Sequence, residues 1–123
     1  MAKKILIVDD NENNRLLLSD ILQYRGYEIL EADGGAKGIS MAGQLKPDLI
    51  LLDMQMPGID GFSAAKMLKS DPLTKDIKVI VVTSFAMKGD RERIIALGVD
   101  DYVAKPIDTR QFPVLVEKHI GPA

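Results

Sequence analysis

The segment Asp48-Leu-Ile-Leu-Leu-Asp-Met-Gln-Met-Pro-Gly-Ile-Asp-Gly61 runs four consecutive apolar residues into a carboxylate, Asp53, and then into a Pro-Gly turn. Consecutive apolar residues indicate a strand that is covered on both faces, as the strands of a parallel sheet are. A buried strand can end on a charge when its tip forms the floor of a binding site. The segment therefore predicts a parallel sheet with a polar site at the end of one strand.

The same pattern recurs along the chain. Residues 5–8 and 79–82 are further runs of consecutive apolar residues, and 27–30 and 101–104 are weaker strand candidates. Stretches with helical spacing alternate with these strands over short connections. This alternation predicts a doubly wound α/β fold with a five-stranded parallel sheet, five helices and right-handed crossovers. We expect one domain over residues 1–123, with no effector domain, because this length supports a single core.

The helices are predicted from apolar residues at helical spacing and from the glycines that punctuate them. The first helix ends at Gly26, the second lies within 35–45, the third follows Gly61, and the fourth ends at Gly98. The residues expected to face the core are Leu17, Leu18, Ile21, Leu22 and Tyr24 in the first helix, Ile94, Ile95 and Leu97 in the fourth, and Phe112, Leu115, Val116 and Ile120 in the fifth.

The fifth helix carries two conflicting signals. Asp108 followed three residues later by Gln111 resembles a capping box, which begins a helix. Counted from that start, Pro113 lies past the first turn, where proline removes a hydrogen bond and clashes with the preceding turn. We therefore expect this helix to begin late or to bend at Pro113. The same feature argues against strong dimerisation through this helix, so a monomer or weak dimer is expected.

The composition is that of an ordinary globular domain and excludes several functions. Apolar residues make up 46% and charged residues 28% of the chain, which argues against disorder. The net charge is −2 and the basic residues are scattered, so no direct binding to nucleic acid is expected. The absence of cysteine excludes thiol chemistry and a Cys-based zinc site. The amino-terminal segment is too short for a signal peptide or a membrane span, so we expect a cytoplasmic protein without membrane insertion.

Polar residues follow four of the predicted strands. They are Asp9 and Asp10 after the first strand, Asp53 at the end of the third, Thr83 and Ser84 after the fourth, and Lys105 with Pro106 after the fifth. Ligands of an open parallel sheet bind outside the carboxyl ends of its strands, so these residues should meet at one site. Three converging carboxylates repel one another unless a cation such as Mg²⁺ lies among them. Lysine and threonine suit phosphate oxygens, so the set predicts a phosphoryl site with a carboxylate nucleophile.

These residues make the chain resemble a response-regulator receiver domain of bacterial two-component signalling over nearly its whole length. The resemblance rests on the pairs at 9–10 and 83–84, on 53–61 (Asp-Met-Gln-Met-Pro-Gly-Ile-Asp-Gly) and on 100–107 (Asp-Asp-Tyr-Val-Ala-Lys-Pro-Ile). Segments 11–15 and 85–90 are most similar to stand-alone receivers of the cell-cycle or sporulation type. The resemblance implies a flavodoxin-like sheet with strand order 2-1-3-4-5 and the function of a single-domain response regulator in a phosphorelay.

The resemblance also implies a role for each site residue. Asp53 is the implied phosphoacceptor, which attacks the phosphorus of a phosphohistidine. Asp10, Asp53 and the backbone carbonyl of Gln55 are the implied direct ligands of Mg²⁺, for which Mn²⁺ can substitute, and Asp9 acts mostly through water. Lys105 is implied to pair first with Asp53 and then with the phosphoryl group.

Two further residues are the implied switch. Thr83 swings its hydroxyl to a phosphoryl oxygen, and Tyr102 turns into the space that is vacated. The implied output surface is the fourth helix, the fifth strand and the fifth helix. The implied partners are a sensor histidine kinase or a histidine phosphotransferase, and a downstream protein target. Beyond self-catalysed phosphotransfer and slow autodephosphorylation, no enzyme activity is expected.

The peptide bond between Lys105 and Pro106 is expected to be cis. The Lys105 ammonium must reach back over the sheet edge towards Asp53 while the chain reverses towards the helix behind Asp108. A cis bond shortens the step between consecutive Cα atoms to about 2.9 Å and turns the chain sharply enough for both. The family resemblance implies the same isomer.

Other interpretations of these residues are weaker. Asp9 and Asp10 could simply cap the first helix. The same segment imitates the start of a calcium loop, but Asn14 replaces the necessary glycine and Asp20 replaces the glutamate. An aspartyl-nucleophile phosphatase also uses a strand-end aspartate and Mg²⁺, but it needs a second aspartate where this chain has Gln55. A flavin-binding domain of the same topology needs a phosphate loop rich in Ser, Thr and Gly, whereas the residues after the first strand are acidic.

Overall fold

A computed structural model describes residues 2–56, 58–84 and 88–123, without the side chains of 88–91, and these ranges contain a parallel sheet with helices on both faces. The elements in chain order are β1 (Lys4–Val8), α1 (Glu12–Tyr24), β2 (Glu28–Ala32), α2 (Gly35–Leu45), β3 (Leu49–Asp53), α3 (Gly61–Ser70), β4 (Lys78–Thr83), α4 (Lys88–Ala96), β5 (Asp101–Ala104) and α5 (Gln111–Ile120). The five strands are ordered β2-β1-β3-β4-β5, and every neighbouring pair is parallel. The predicted doubly wound fold and its strand order are confirmed.

The alternation of side chains along the strands divides the core into two layers. The layer on the side of α2, α3 and α4, here the α2–α4 layer, contains Leu6, Val8, Ile50, Leu52, Val79 and Val81 from the strands. The layer on the side of α1 and α5, here the α1–α5 layer, contains Ile5, Ile7, Leu49, Leu51 and Ile80. β1, β3 and β4 are thus covered on both faces, which is why their sequences are continuously apolar.

The edge strand β2 lies slightly later than predicted. It begins at Glu28 instead of residue 27 and continues to Ala32. Tyr27 precedes the strand and is buried in the α1–α5 layer. Its hydroxyl donates a hydrogen bond to the carbonyl oxygen of Gly121 at 2.6 Å, so the aromatic side chain ties the end of the chain to this edge.

The buried face of α1 differs from the predicted one. Leu18, Ser19 and Leu22 are buried, whereas Leu17 is 45% exposed and Tyr24 is 91% exposed. Only a narrow face of α1 contacts the sheet. This face is too small to include all the apolar side chains of the helix, so several of them remain exposed to solvent. The predictions that Leu17 and Tyr24 face the core are therefore wrong.

The start of α5 resolves the conflict at Pro113. The helix begins at Gln111, so Pro113 is its third residue and lies in the first turn. The first N–H groups of a helix have no partner within it, and proline there removes no helix hydrogen bond. Asp108 Oδ1 accepts hydrogen bonds from the backbone N–H groups of Arg110 at 2.9 Å and Gln111 at 3.1 Å, which orders the turn before the helix. The predicted late start is confirmed.

Among the described residues, no helix combines the length and the apolar character that crossing a membrane requires.

Candidate functional site

The carboxyl ends of four strands bring the candidate residues to one edge of the sheet. Asp9 directly follows β1, Asp53 ends β3, Thr83 ends β4 and Lys105 directly follows β5. The backbone N–H of Lys105 donates to the carbonyl oxygen of Thr83 at 2.8 Å, which extends the pairing of β4 with β5 to the site. Residues from the beginning, middle and end of the chain therefore share one small region.

Asp9, Asp10 and Asp53 form an acidic cluster. One carboxylate oxygen from each residue lies within 4.8 Å of the others. Asp9 is 2% exposed and Asp53 is 3% exposed, whereas Asp10 is exposed to solvent. Buried carboxylates are stable only when they are paired, hydrogen-bonded or bound to a metal. Oxygen ligands at this spacing fit a hard divalent cation, so these three residues can hold a metal ion.

The electrostatics of Asp9 show the repulsion within the cluster. Burial raises the pKa of Asp9 above its ordinary value of 3.8, and the charges of Asp53 and Asp10 raise it further. Two interactions oppose this shift of the pKa: the hydrogen bond that the Asn11 N–H donates to Asp9 Oδ1 at 2.9 Å, and the charge of Lys105. The net increase means that the charged form of Asp9 is disfavoured in the folded protein unless a cation lies nearby.

Lys105 supplies the counter-charge of Asp53. Its Nζ lies 3.1 Å from Asp53 Oδ1, and the backbone N–H of Gln55 donates to the same oxygen at 3.3 Å. This pairing is the reason that a fully buried strand can end on a carboxylate. Removal of the lysine would leave a buried charge without compensation. The Lys105–Pro106 peptide bond, for which the sequence predicts the cis isomer, is cis.

The remaining candidate residues surround this centre. Thr83 is buried at the tip of β4, and Tyr102 is half-buried against the α2–α4 layer. The register pairs Val81 with Tyr102, so the alternation along β4 puts Thr83 and Tyr102 on the same face of the sheet. Gln55 and Ser84 are exposed, each close in sequence to a strand end.

The capping role that was considered for Asp9 and Asp10 is wrong. The N-cap of α1 is Asn11, whose Oδ1 accepts a hydrogen bond from the Asn14 N–H at 3.0 Å. Asn11 satisfies the helix terminus, so the two aspartates before it are not needed for that purpose.

Two residues that shape the site were not predicted from the sequence. Arg15 Nη1 donates a hydrogen bond to the backbone carbonyl of Asp9 at 2.8 Å. Gly61 begins α3 so close to the sheet that a Cβ atom there would lie 2.3 Å from Met54 Cα. The signal for Arg15 was its position in the first turn of the helix that follows the acidic pair, from which its side chain can reach back to the backbone of Asp9. The signal for Gly61 was a glycine at the start of a predicted helix.

The fold and site belong to a known class of signalling domain. The family model for the response regulator receiver domain matches residues 5–117, and the chain belongs to this family of two-component signalling proteins. Among its relatives is the polar-differentiation response regulator DivK of Brucella anthropi, which is 41% identical over 123 residues, with 100% of both chains covered.

Solved structures agree with this assignment. The receiver domain of a sensor histidine kinase from Pseudomonas aeruginosa PAO1, which has a magnesium ion coordinated in its active site cleft, is 29% identical, with a TM-score of 0.90 and 98% of this chain and 99% of that chain covered. A putative response regulator from Chloroflexus aurantiacus is 28% identical, with a TM-score of 0.92 and 98% of both chains covered. The chemotaxis protein CheY4 of Vibrio cholerae, at 24% identity and a TM-score of 0.90 over 97% of this chain and 99% of its own, shares the fold.

Proposed function

We propose that this chain is a single-domain response regulator that accepts one phosphoryl group on Asp53 and signals through protein contacts. The observation that carries the proposal is the position of the buried Asp53 carboxylate, which lies 3.1 Å from Lys105 Nζ and within 4.8 Å of carboxylate oxygens of Asp9 and Asp10. The donor is a phosphohistidine on a sensor histidine kinase or a histidine phosphotransferase. The match to the receiver family and to a relative named as a response regulator supports this function.

The transfer uses the two oxygens of Asp53 differently. Lys105 and the Gln55 N–H both bind Oδ1, so we assign the attack on phosphorus to the other carboxylate oxygen. A P–O bond forms in line with the P–N bond of the phosphohistidine, which breaks, and the imidazole nitrogen leaves with the electron pair. The Lys105 ammonium offsets negative charge on the transferred group as it arrives.

The acidic cluster is the proposed site of Mg²⁺. Asp10, Asp53 and the backbone carbonyl of Gln55 would bind the ion directly and Asp9 through water. When it is bound, the ion supplies positive charge against the phosphoryl oxygens. The convergence of three carboxylates supports this assignment, because burial and the neighbouring charges of Asp53 and Asp10 raise the pKa of Asp9, and a bound cation would offset this repulsion. Mn²⁺ is the proposed substitute, since it also prefers oxygen ligands.

The switch and the output surface are proposed from the family resemblance. We propose that the Thr83 hydroxyl donates to a phosphoryl oxygen and that Tyr102, on the same sheet face, then turns inward. The surface of α4, β5 and α5 would carry this change to a downstream protein target. The proposed regulator is cytoplasmic, a monomer or weak dimer, without direct contact to nucleic acid.

The two alternative functions lack support from the site. A phosphatase of the aspartyl-nucleophile type needs an acid–base carboxylate where this chain has Gln55, so turnover beyond slow autodephosphorylation is not proposed. A flavin-binding domain would bind a phosphate after β1, where Asp9 and Asp10 would repel it. Purified protein without visible absorbance would exclude the flavin.

Phosphorylation by a small donor tests the proposal without a kinase. Incubation with acetyl phosphate and Mg²⁺ should add one phosphoryl group by intact mass, and Asp53→Asn should abolish this gain. The matched control is Asp20→Asn, which removes an exposed carboxylate on α1 and should be labelled like the wild type. Asp10→Ala should fold and should lose labelling. Equal labelling of Asp53→Asn and wild type would refute the assignment.

A further inference from the structure

Arg15 connects the β1–α1 turn to the edge strand of the sheet. Its Nη1 donates to the Asp9 carbonyl at 2.8 Å, and its Nε lies 3.3 Å from Glu31 Oε1 on β2. The Arg15 side chain is only 16% exposed although it carries a permanent charge. A guanidinium held at both ends in this way is a fixed part of the structure.

The Asp9 residue is held at three points, and Arg15 provides one of them. The Asp9 N–H donates to the carbonyl oxygen of Ala32 at 3.1 Å, and Asp9 Oδ1 accepts from the Asn11 N–H at 2.9 Å. The third point is the carbonyl oxygen of Asp9. The peptide bond is planar, so a fixed Asp9 carbonyl also fixes the N–H and the Cα of Asp10.

The position of Asp10 depends on the hydrogen bond from Arg15 more than the positions of Asp9 and Asp53 do. Asp9 and Asp53 are buried, and the packing around them restricts their side chains, whereas Asp10 is exposed. Its position in the cluster is set mainly by the backbone that leads into it. The hydrogen bond from Arg15 goes to a backbone carbonyl, so it uses none of the carboxylate oxygens that a cation needs.

From this geometry we propose that Arg15 is a positioning residue for the acidic cluster: its hydrogen bond to the Asp9 carbonyl sets where Asp10 presents its carboxylate, and so sets the affinity for a divalent cation. The inference rests on the proposed function, since it assigns the acidic cluster to metal binding. It adds a residue outside the ligand set whose loss weakens that binding.

The direct test is the dissociation constant of Mg²⁺ alone, measured by isothermal titration calorimetry on the unphosphorylated full chain. Arg15→Ala should raise this Kd by about tenfold, the effect expected when an outer partner of a metal ligand is removed. Arg15→Lys should give a Kd between those of the wild type and Arg15→Ala, because an ammonium can still donate to the carbonyl but lacks the fork that also reaches Glu31.

Arg25→Ala is the matched control. It removes the same charge from the other end of α1, where Arg25 Nη1 lies 3.8 Å from Glu117 Oε2. Ten residues of helix separate the two arginines by about 15 Å, which exceeds the screening length of about 10 Å at 0.1 M salt. The Kd of Arg25→Ala should equal that of the wild type. An equal increase in both variants would show that the loss of affinity is not specific to Arg15 and would overturn the proposal.

A second measurement separates metal positioning from a loss of folding. The rate of phosphorylation by acetyl phosphate, measured against Mg²⁺ concentration, should need more Mg²⁺ for half-saturation in Arg15→Ala but should return to the wild-type rate at saturation. Far-UV circular dichroism checks the fold, and if Arg15→Ala is unfolded, Arg15→Lys decides in its place. Wild-type protein that neither binds Mg²⁺ nor is phosphorylated would refute the proposed function itself. Wild-type protein that does both, with an unchanged Kd in the Arg15 variants, would refute only the role of Arg15.

Discussion

Gly61 couples the packing of α3 to the position of the site, and Gly61→Ala tests this coupling. A Cβ atom at this position would lie 2.3 Å from Met54 Cα and 2.7 Å from the carbonyl oxygen of Asp53. Ordinary contact begins near 3.4 Å, so the start of α3 and the backbone after β3 must separate by about 1 Å. Both neighbours are backbone atoms, which cannot escape by changing rotamer. We expect the free energy of unfolding to fall by about 3 kcal/mol, the upper end of the usual range for overpacking.

The same displacement should also slow phosphorylation. Met54 directly follows Asp53, so a shift of its Cα moves the carboxylate relative to Lys105 Nζ. A misplacement of about 1 Å can reduce the rate of a reaction about a hundredfold. We expect the rate of phosphorylation by acetyl phosphate at saturating Mg²⁺ to fall by at least about tenfold.

Gly43→Ala is the matched control for Gly61→Ala. Gly43 lies inside α2, and a Cβ atom there would have no neighbour within 4 Å. Alanine is a better helix former than glycine, so this variant should be more stable by about 0.5–1 kcal/mol and should be phosphorylated normally. Urea unfolding followed by far-UV circular dichroism measures the change in the free energy of unfolding for Gly61→Ala and for Gly43→Ala. If Gly61→Ala is as stable as the wild type and is phosphorylated at the same rate, the conclusion that the packing of α3 sets the position of the site is wrong.

Two further predictions concern single carboxylates. Asp9→Asn should raise the free energy of unfolding of the metal-free protein at neutral pH: the pKa of Asp9 is raised in the folded state, so the stability it contributes is present below pH 3.8 and is lost as the pH rises through the folded-state pKa. Urea unfolding in chelator should show a difference between variant and wild type that grows with pH, and a constant difference would contradict this. Asp100→Ala should lower the free energy of unfolding by about 1–3 kcal/mol, because the Val79 N–H at 2.8 Å and Lys69 Nζ at 3.1 Å lose their acceptor. Burial alone would raise the pKa of Asp100, but these hydrogen bonds lower it, so the stability that Asp100 contributes is present above pH 3.8 and is lost as the pH falls through the lowered pKa. The control Asp76→Ala removes a carboxylate at an exposed site and should leave the free energy of unfolding near that of the wild type at neutral pH.

The architecture was predictable because a parallel sheet covered on both faces leaves a continuous apolar signal. β1, β3 and β4 have this signal, and their predicted positions differ from the observed ones by a single residue at each end or less. β5 has the predicted bounds, and α2 fills the range 35–45 within which a helix was predicted. The convergence of Asp9, Asp53 and Lys105 was predictable as well, since it follows from the polarity of parallel strands alone.

The details of the helices were less predictable because they depend on what covers each face. The apolar residues of α1 are compatible with several orientations, and only the sheet selects Leu18 and Leu22 while it leaves Tyr24 exposed. The start of α5 was ambiguous for a similar reason: Asp108 can cap a helix or order the turn before one, and the path of the chain from β5 decides between them.

The sequence by itself therefore determined the order of the elements and the kinds of side chain at the sheet edge. Both follow from local patterns, namely the runs of apolar residues and the polar residues that directly follow them. The tertiary structure decided the contacts that join distant segments. These include the 3.1 Å pairing of Lys105 with Asp53, the anchoring of Arg15 by Glu31, and the space that only glycine leaves at residue 61. Such contacts join segments that are far apart in the chain, and their geometry depends on how closely the elements pack against one another, which no local sequence pattern specifies.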